Sequence, residues 1–91
     1  MDAFKIDGLE LFFNSHDHKP PHFHAYKRGA WEIRVFFLSC SQEKGLDFEP
    51  KWPPDPALSS KEKKQILKYV LEYRAALLIE WENKVRVREN Y

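Results

Sequence analysis

Residues 59–81, SSKEKKQILKYVLEYRAALLIEW, determine the architecture of this 91-residue chain. Ser59 and Glu62 have the spacing of a capping box, in which each side chain accepts a hydrogen bond from the backbone N–H of the other residue. Apolar residues then recur at every third or fourth position, at Ile66, Val70, Tyr73, Leu77 and Trp81. Because no glycine or proline interrupts this period, it predicts one long amphipathic helix over residues 59–85.

The preceding half of the chain has the two-residue alternation of β-strands. Residues 9–14, 22–27 and 30–39 predict three strands, and residues 46–49 predict a short fourth strand that Pro50 ends. A helix with a wide apolar face must pack on this sheet. We therefore predict an α+β fold, a small antiparallel sheet of three to four strands packed on one long C-terminal α-helix.

The length and composition of the chain predict one domain over residues 1–91. The sheet is expected at 4–49, a proline-rich connection at 50–58 and the helix at 59–85. The net charge of +1 gives no global electrostatic reason to expect a nucleic-acid-binding protein. With a single cysteine, a charged start and no apolar run that would span a membrane, we expect a cytoplasmic protein with no membrane partner.

All four histidines of the chain lie within nine residues, at His16, His18, His22 and His24. His22 and His24 are two positions apart in a predicted strand, so both imidazoles should point to the same face of the sheet. Two prolines restrict the backbone between the two histidine pairs. This clustering predicts that the functional site lies here.

One interpretation of the cluster is a metal site. A divalent transition-metal ion would use His22 and His24 together with His18 or His16 from the loop, and Asp17 is a further potential ligand. The spacing matches no established zinc motif. The alternative for each histidine is a structural role, in which it packs against the helix and hydrogen-bonds a backbone carbonyl.

A second interpretation is acid–base catalysis on a phosphodiester, with His18, His22 and His24 as candidate catalytic residues. Two imidazoles and a phosphate-binding cation suffice for RNA cleavage, since the 2′-hydroxyl is the nucleophile. The candidate substrate-binding residues are Lys19, Tyr26 and Arg34, with Lys27 and Arg28 as further cations. Arg34 has an alternative structural role in a cross-strand pair with a carboxylate such as Glu10.

Residues 17–25, DHKPPHFHA, resemble the signature of a family of small bacterial proteins called domain of unknown function 4160. The residues that match this signature are Asp17, His18, Pro20, Pro21, His22 and His24, whereas Lys19 departs from it. Residues 77–81, LLIEW, resemble the end of the long helix of that family. Some members are described as toxins of toxin–antitoxin modules, so the resemblance implies a toxin-like, partner-binding protein that acts on nucleic acid, with no established reaction. Together with the acid–base interpretation, this predicts a toxin-module component that acts on RNA through its histidine cluster.

Two other functions remain open from the sequence. The histidines would equally serve a non-catalytic protein- or nucleic-acid-binding module, or a metal-binding domain. Phe12 and Phe36 would be poorly suited to a solvated sheet face, so we expect that face or its edge to bind a partner. That partner is either a second copy of the chain, giving a homodimer, or a small antitoxin-like protein.

Overall fold

The computed structural model describes residues 5–6, 8–14 and 16–85. It contains a five-stranded antiparallel sheet in the order β1-β2-β3-β4-β5, followed by one helix, α1. The elements are β1 (Lys5–Ile6), β2 (Leu9–Phe12), β3 (Phe23–Lys27), β4 (Trp31–Val35), β5 (Phe48–Trp52) and α1 (Ser60–Lys84). The α+β prediction is confirmed: β2 to β5 are the four predicted strands, and the two-residue β1 extends their edge. Residue 4, the predicted start of the sheet, lies outside the described residues.

The register of the sheet separates its two faces. Phe12, His24, Arg34 and Glu49 pair across β2 to β5 and form one row on one face. The other face packs against α1 and forms the core. Both layers contribute buried residues to this core, among them Phe23, Trp31, Ile33 and Val35 from the sheet and Ile66, Val70, Leu77 and Trp81 from the helix.

The predicted capping box begins the helix. Ser59 Oγ accepts a hydrogen bond from Glu62 N at 3.0 Å, and Glu62 Oε1 accepts one from Ser59 N at 2.9 Å. Lys27 Nζ donates to Glu62 Oε2 at 2.6 Å. Burial raises the pKa of the Glu62 carboxyl, but the hydrogen bonds from Lys27 and Ser59 outweigh it and hold the pKa below its ordinary value. Lys27 therefore joins the sheet to the helix and does not face the histidines.

The helix continues through one irregular residue. Tyr73 has φ −114° and ψ 18°, outside the helical range, and marks a kink between two helical segments. The helix ends where Val85 N donates to Trp81 O at 2.9 Å. Among the described residues, no helix is both long and apolar enough to cross a membrane.

Two predicted strand ends were wrong by three or more residues. β4 ends at Val35 and not at residue 39, because Phe36 N donates to Asp47 O and Ser39 N donates to Phe36 O, which turns the chain. The fourth strand continues through Pro50 to Trp52. A proline, which lacks the N–H, is tolerated there because β5 is an edge strand.

A bulge in β5 changes which side chains reach the second face. Glu32 pairs with Trp52 and Ile33 pairs with Pro50, which leaves Lys51 as the extra residue. As a result Lys51 Nζ lies 3.3 Å from Glu32 Oε2, while the neighbouring Trp52 ring contacts Tyr26 edge-on at 6.0 Å. Two consecutive residues thus contact the same face of the sheet, which regular strand alternation would forbid.

Candidate metal and catalytic site

The loop between β2 and β3 brings an acidic residue onto the sheet face that α1 does not cover. Asp17 N donates to Asn14 O at 3.0 Å, and His16 N donates to Asn14 Oδ1 at 3.0 Å, which closes a tight turn. The Lys19–Pro20 peptide bond within the loop is cis. Asp17 thereby reaches the histidines at the start of β3, and its side chain is 13% exposed.

Three ligand-type side chains converge at this point. His24 Nε2 lies 2.8 Å from Asp17 Oδ2, and His22 Nε2 lies 3.2 Å from the same oxygen. One potential ligand atom from each of the three residues lies within 4.8 Å of the others. The rings of His22 and His24 meet edge to face with centroids 5.3 Å apart. The site therefore presents two imidazole nitrogens and one carboxylate to a single small volume.

The second nitrogen of each ring faces an oxygen acceptor. His22 Nδ1 lies 2.8 Å from Pro20 O, and since a carbonyl oxygen only accepts, Nδ1 is the donor of this hydrogen bond. His22 Nε2 is buried and forms no hydrogen bond with any residue that the structure describes. His24 Nδ1 lies 3.2 Å from Glu32 Oε2. The contacts at Nδ1 thus orient both rings so that each Nε2 is directed at Asp17.

Aromatic packing fixes the two imidazoles in place. His24 is 1% exposed, and Phe12 stacks on it with ring centroids 4.9 Å apart and planes 9° apart. His22 contacts Phe36 on one side and Trp81 of α1 on another, with centroids 5.5 and 5.4 Å away. His22 therefore also shows the structural role considered from the sequence, since it packs on the helix and bonds a carbonyl.

An open cleft of about 600 Å³ leads to Asp17 and His22. The cleft is also lined by His18, Lys19, Arg34 and Glu49, with Asp47 and Ser39 among the other lining residues. Arg34 Nη1 donates to Glu49 Oε1 at 3.1 Å, so its cross-strand partner is Glu49 and not Glu10. Glu10 lies instead near Arg28, at 3.9 Å. A mixture of acids and bases, with no excess of cations, therefore lines this cleft.

The structure separates the other predicted site residues. His18 is exposed at the cleft, whereas His16 is exposed in the loop turn and is not among the clustered ligands. Tyr26 shares the face of His24, but its ring packs against Trp52. The third ligand-type residue beside His22 and His24 is Asp17, in the place where the sequence suggested His16 or His18.

Sequence reasoning did not identify Glu32 and Phe12 as part of the site. The signal was present in the strand register, because a residue faces the same side as its cross-strand partner. His24 pairs with Phe12 on one side, and Glu32 pairs with Tyr26, the next residue of β3 on the face of His24. Without the register, neither residue stands out from the ordinary polar and apolar positions of a strand.

Comparison with known protein families gives a match over most of the chain. A family model described as a domain of unknown function, DUF4160, matches residues 8–82. The chain belongs to the DUF4160 family. The matched range of this DUF4160 domain includes the loop with Asp17, strands β2 to β5 and nearly all of α1. No curated protein and no solved structure showed significant similarity to it.

Proposed function

We propose that this DUF4160 domain binds one divalent transition-metal ion through His22 Nε2, His24 Nε2 and the Asp17 carboxylate. The observation behind the proposal is the orientation of the two imidazoles. Each Nε2 is directed at one carboxylate oxygen, at 3.2 and 2.8 Å, while each Nδ1 faces an oxygen acceptor. Metal-bound histidines characteristically donate their second N–H to a carbonyl or carboxylate in this way.

A cation would also satisfy atoms that are otherwise poorly paired. In the neutral tautomer that donates from Nδ1, His22 presents a buried lone pair at Nε2 to the Asp17 carboxylate, and two acceptors in contact are unfavourable. Satisfying both contacts of His24 without a metal requires an N–H on each ring nitrogen, since both neighbours are carboxylates. An ion bound between the three residues would remove both conflicts and keep the Nδ1 contacts with Pro20 and Glu32.

The ligand set and the cleft indicate what kind of site this would be. Two imidazoles and one carboxylate suit ions such as Zn²⁺ and Fe²⁺ better than Mg²⁺ or Ca²⁺, which prefer oxygen ligands. Three protein ligands leave a coordination position for water or substrate, as in catalytic rather than structural zinc sites. The cleft beside Asp17 and His22 would give that position access to solvent.

Metal titration of the untagged protein tests the proposal. After treatment with a chelator, we expect the protein to bind one equivalent of Zn²⁺ and to show the visible absorption of protein-bound Co²⁺. Zinc at 100 times its dissociation constant should stabilise the fold by about 2.7 kcal/mol, seen as a rise in melting temperature.

His16→Ala is the matched control, because it removes a histidine of the same loop that does not contact the site. It should bind zinc as the wild type does, whereas His22→Ala should not. Absence of zinc binding by the wild type, or loss of binding in His16→Ala alone, would contradict the proposal.

RNA cleavage in a toxin module is the second candidate function. It is favoured by the presence of His18, Lys19 and Arg34 on the same cleft as His22, which places imidazoles beside cations. Expression of the wild type alone should then arrest growth and degrade cellular RNA, whereas a folded His22→Ala/His24→Ala variant should be harmless. A harmless wild type would exclude the toxin role and leave the metal site unaffected.

A further inference from the structure

Several lysines on the outer surface of α1 form no ion pair with any described residue. In the described part of the chain, Lys27, Arg28, Arg34, Lys51 and Lys84 all form ion pairs with carboxylates. Lys61, Lys64 and Lys68 form none with any described residue, and all three are exposed. Their spacing of three and four residues places them in one stripe along the helix. This lysine stripe thus places three cations together, and the one acid that lines the adjacent groove, Glu72, forms no ion pair with any described residue.

A shallow apolar groove runs beside the lysine stripe. It has a volume of about 410 Å³, and Leu67 and Leu71 supply its apolar surface. Lys64 and Lys68 line this groove and also a second depression of about 390 Å³ that includes Lys61 and Gln65. Leu67 and Leu71 are four residues apart, so they form a continuous apolar strip parallel to the lysines.

The charge arrangement has a cost for the helix itself. Lys64 and Lys68 are four residues apart on the helix surface, where like charges repel and lower helix stability. Lysines near the start of a helix are also unfavourable with respect to its dipole. None of the three lysines lines the cleft beside Asp17 and His22. A partner that supplies negative charge would remove the repulsion.

We propose that the lysine stripe and its groove bind an acidic amphipathic segment of another protein. Apolar side chains of that segment would pack on Leu67 and Leu71, while its carboxylates pair with Lys61, Lys64 and Lys68. The apolar floor favours a protein segment over a nucleic acid, because no aromatic residue lines the groove for base stacking. This surface is independent of the cleft, so the proposal does not depend on metal binding.

The test uses a fluorescent synthetic helical peptide with leucines on one face and glutamates flanking them. We expect it to bind the chelator-treated and the zinc-treated protein alike. Lys64→Glu should weaken binding roughly fivefold or more, and Leu71→Ser should weaken it as well. Lys63→Glu is the matched control, because it makes the same charge change on the same helix outside the groove, and it should leave peptide binding close to that of the wild type.

The melting temperature of each variant distinguishes a loss of peptide binding from a loss of the folded structure. Lys64→Glu should not lower the melting temperature, because it replaces a repulsive pair with an attractive one. Three results would overturn the proposal: no peptide binding, equal weakening by Lys63→Glu, or equal binding of a peptide of the same composition with its leucines scattered. Tighter binding of a single-stranded RNA oligonucleotide that Lys64→Glu abolishes would assign the surface to nucleic acid instead.

Discussion

Replacing Asp17 with asparagine should lower the zinc affinity of the domain by more than about 100-fold, because it removes a charged ligand and leaves two neutral imidazoles. Glu32→Gln should lower the affinity by about 10- to 100-fold, because Glu32 contacts the second ring nitrogen of the ligand His24 and would not bind the ion itself. Competition with a chromophoric chelator measures both constants. We expect the larger loss of zinc affinity in Asp17→Asn, because Asp17 would bind the ion directly, whereas Glu32 acts only through His24.

Glu49→Gln provides the control for this series. Glu49 is also a carboxylate of the same sheet face and lines the same cleft, but it pairs with Arg34 and touches neither histidine. Its replacement should change zinc affinity less than about threefold, because removing one charge of an exposed ion pair has only a small electrostatic effect nearby. If Glu49→Gln weakens zinc binding as strongly as Asp17→Asn, then the ion binds elsewhere in the cleft and the assigned ligands are wrong.

The helix and the positions of the strands along the chain could be predicted because they depend on local patterns. The capping box at Ser59 and Glu62 and the 3.6-residue apolar period are properties of neighbouring residues, and the structure confirms both. The shared face of His22 and His24 likewise follows from strand alternation. These features need no knowledge of how distant segments meet.

The remaining parts of the site depend on distant contacts. Asp17 reaches His24 only because the loop folds back over the sheet, and the sequence favoured His16 or His18 over Asp17 as the third ligand. Glu32 reaches His24 through the register of β3 against β4, and Lys51 reaches Glu32 through a bulge. A shift of one residue in either register would turn these side chains to the other face. Local sequence patterns therefore could not predict the contacts of Asp17, Glu32 and Lys51 at the site.

The same contacts mean that the site also stabilises the fold. Asp17 and Glu32 are 13% and 11% exposed in their side chains, and His24 lies between them, with Nε2 2.8 Å from Asp17 and Nδ1 3.2 Å from Glu32. His24→Leu preserves much of the buried volume but leaves Asp17 without its closest partner, while Glu32 keeps Lys51. Removing one member of a buried charged group is strongly destabilising, because the remaining charge stays buried with less compensation, here with His22 Nε2 3.2 Å from Asp17.

We therefore expect His24→Leu to lower the free energy of unfolding by about 3 kcal/mol in the presence of a chelator. In a domain of this size that corresponds to a fall in melting temperature of about 10–25 °C. His18→Leu, on the exposed rim of the cleft, should change stability by less than about 0.5 kcal/mol. The double variant Asp17→Ala/His24→Leu should recover part of the loss, since it removes the unpaired carboxylate as well. If the double variant loses more unfolding free energy than the two single variants together, then Asp17 stabilises the loop by another contact.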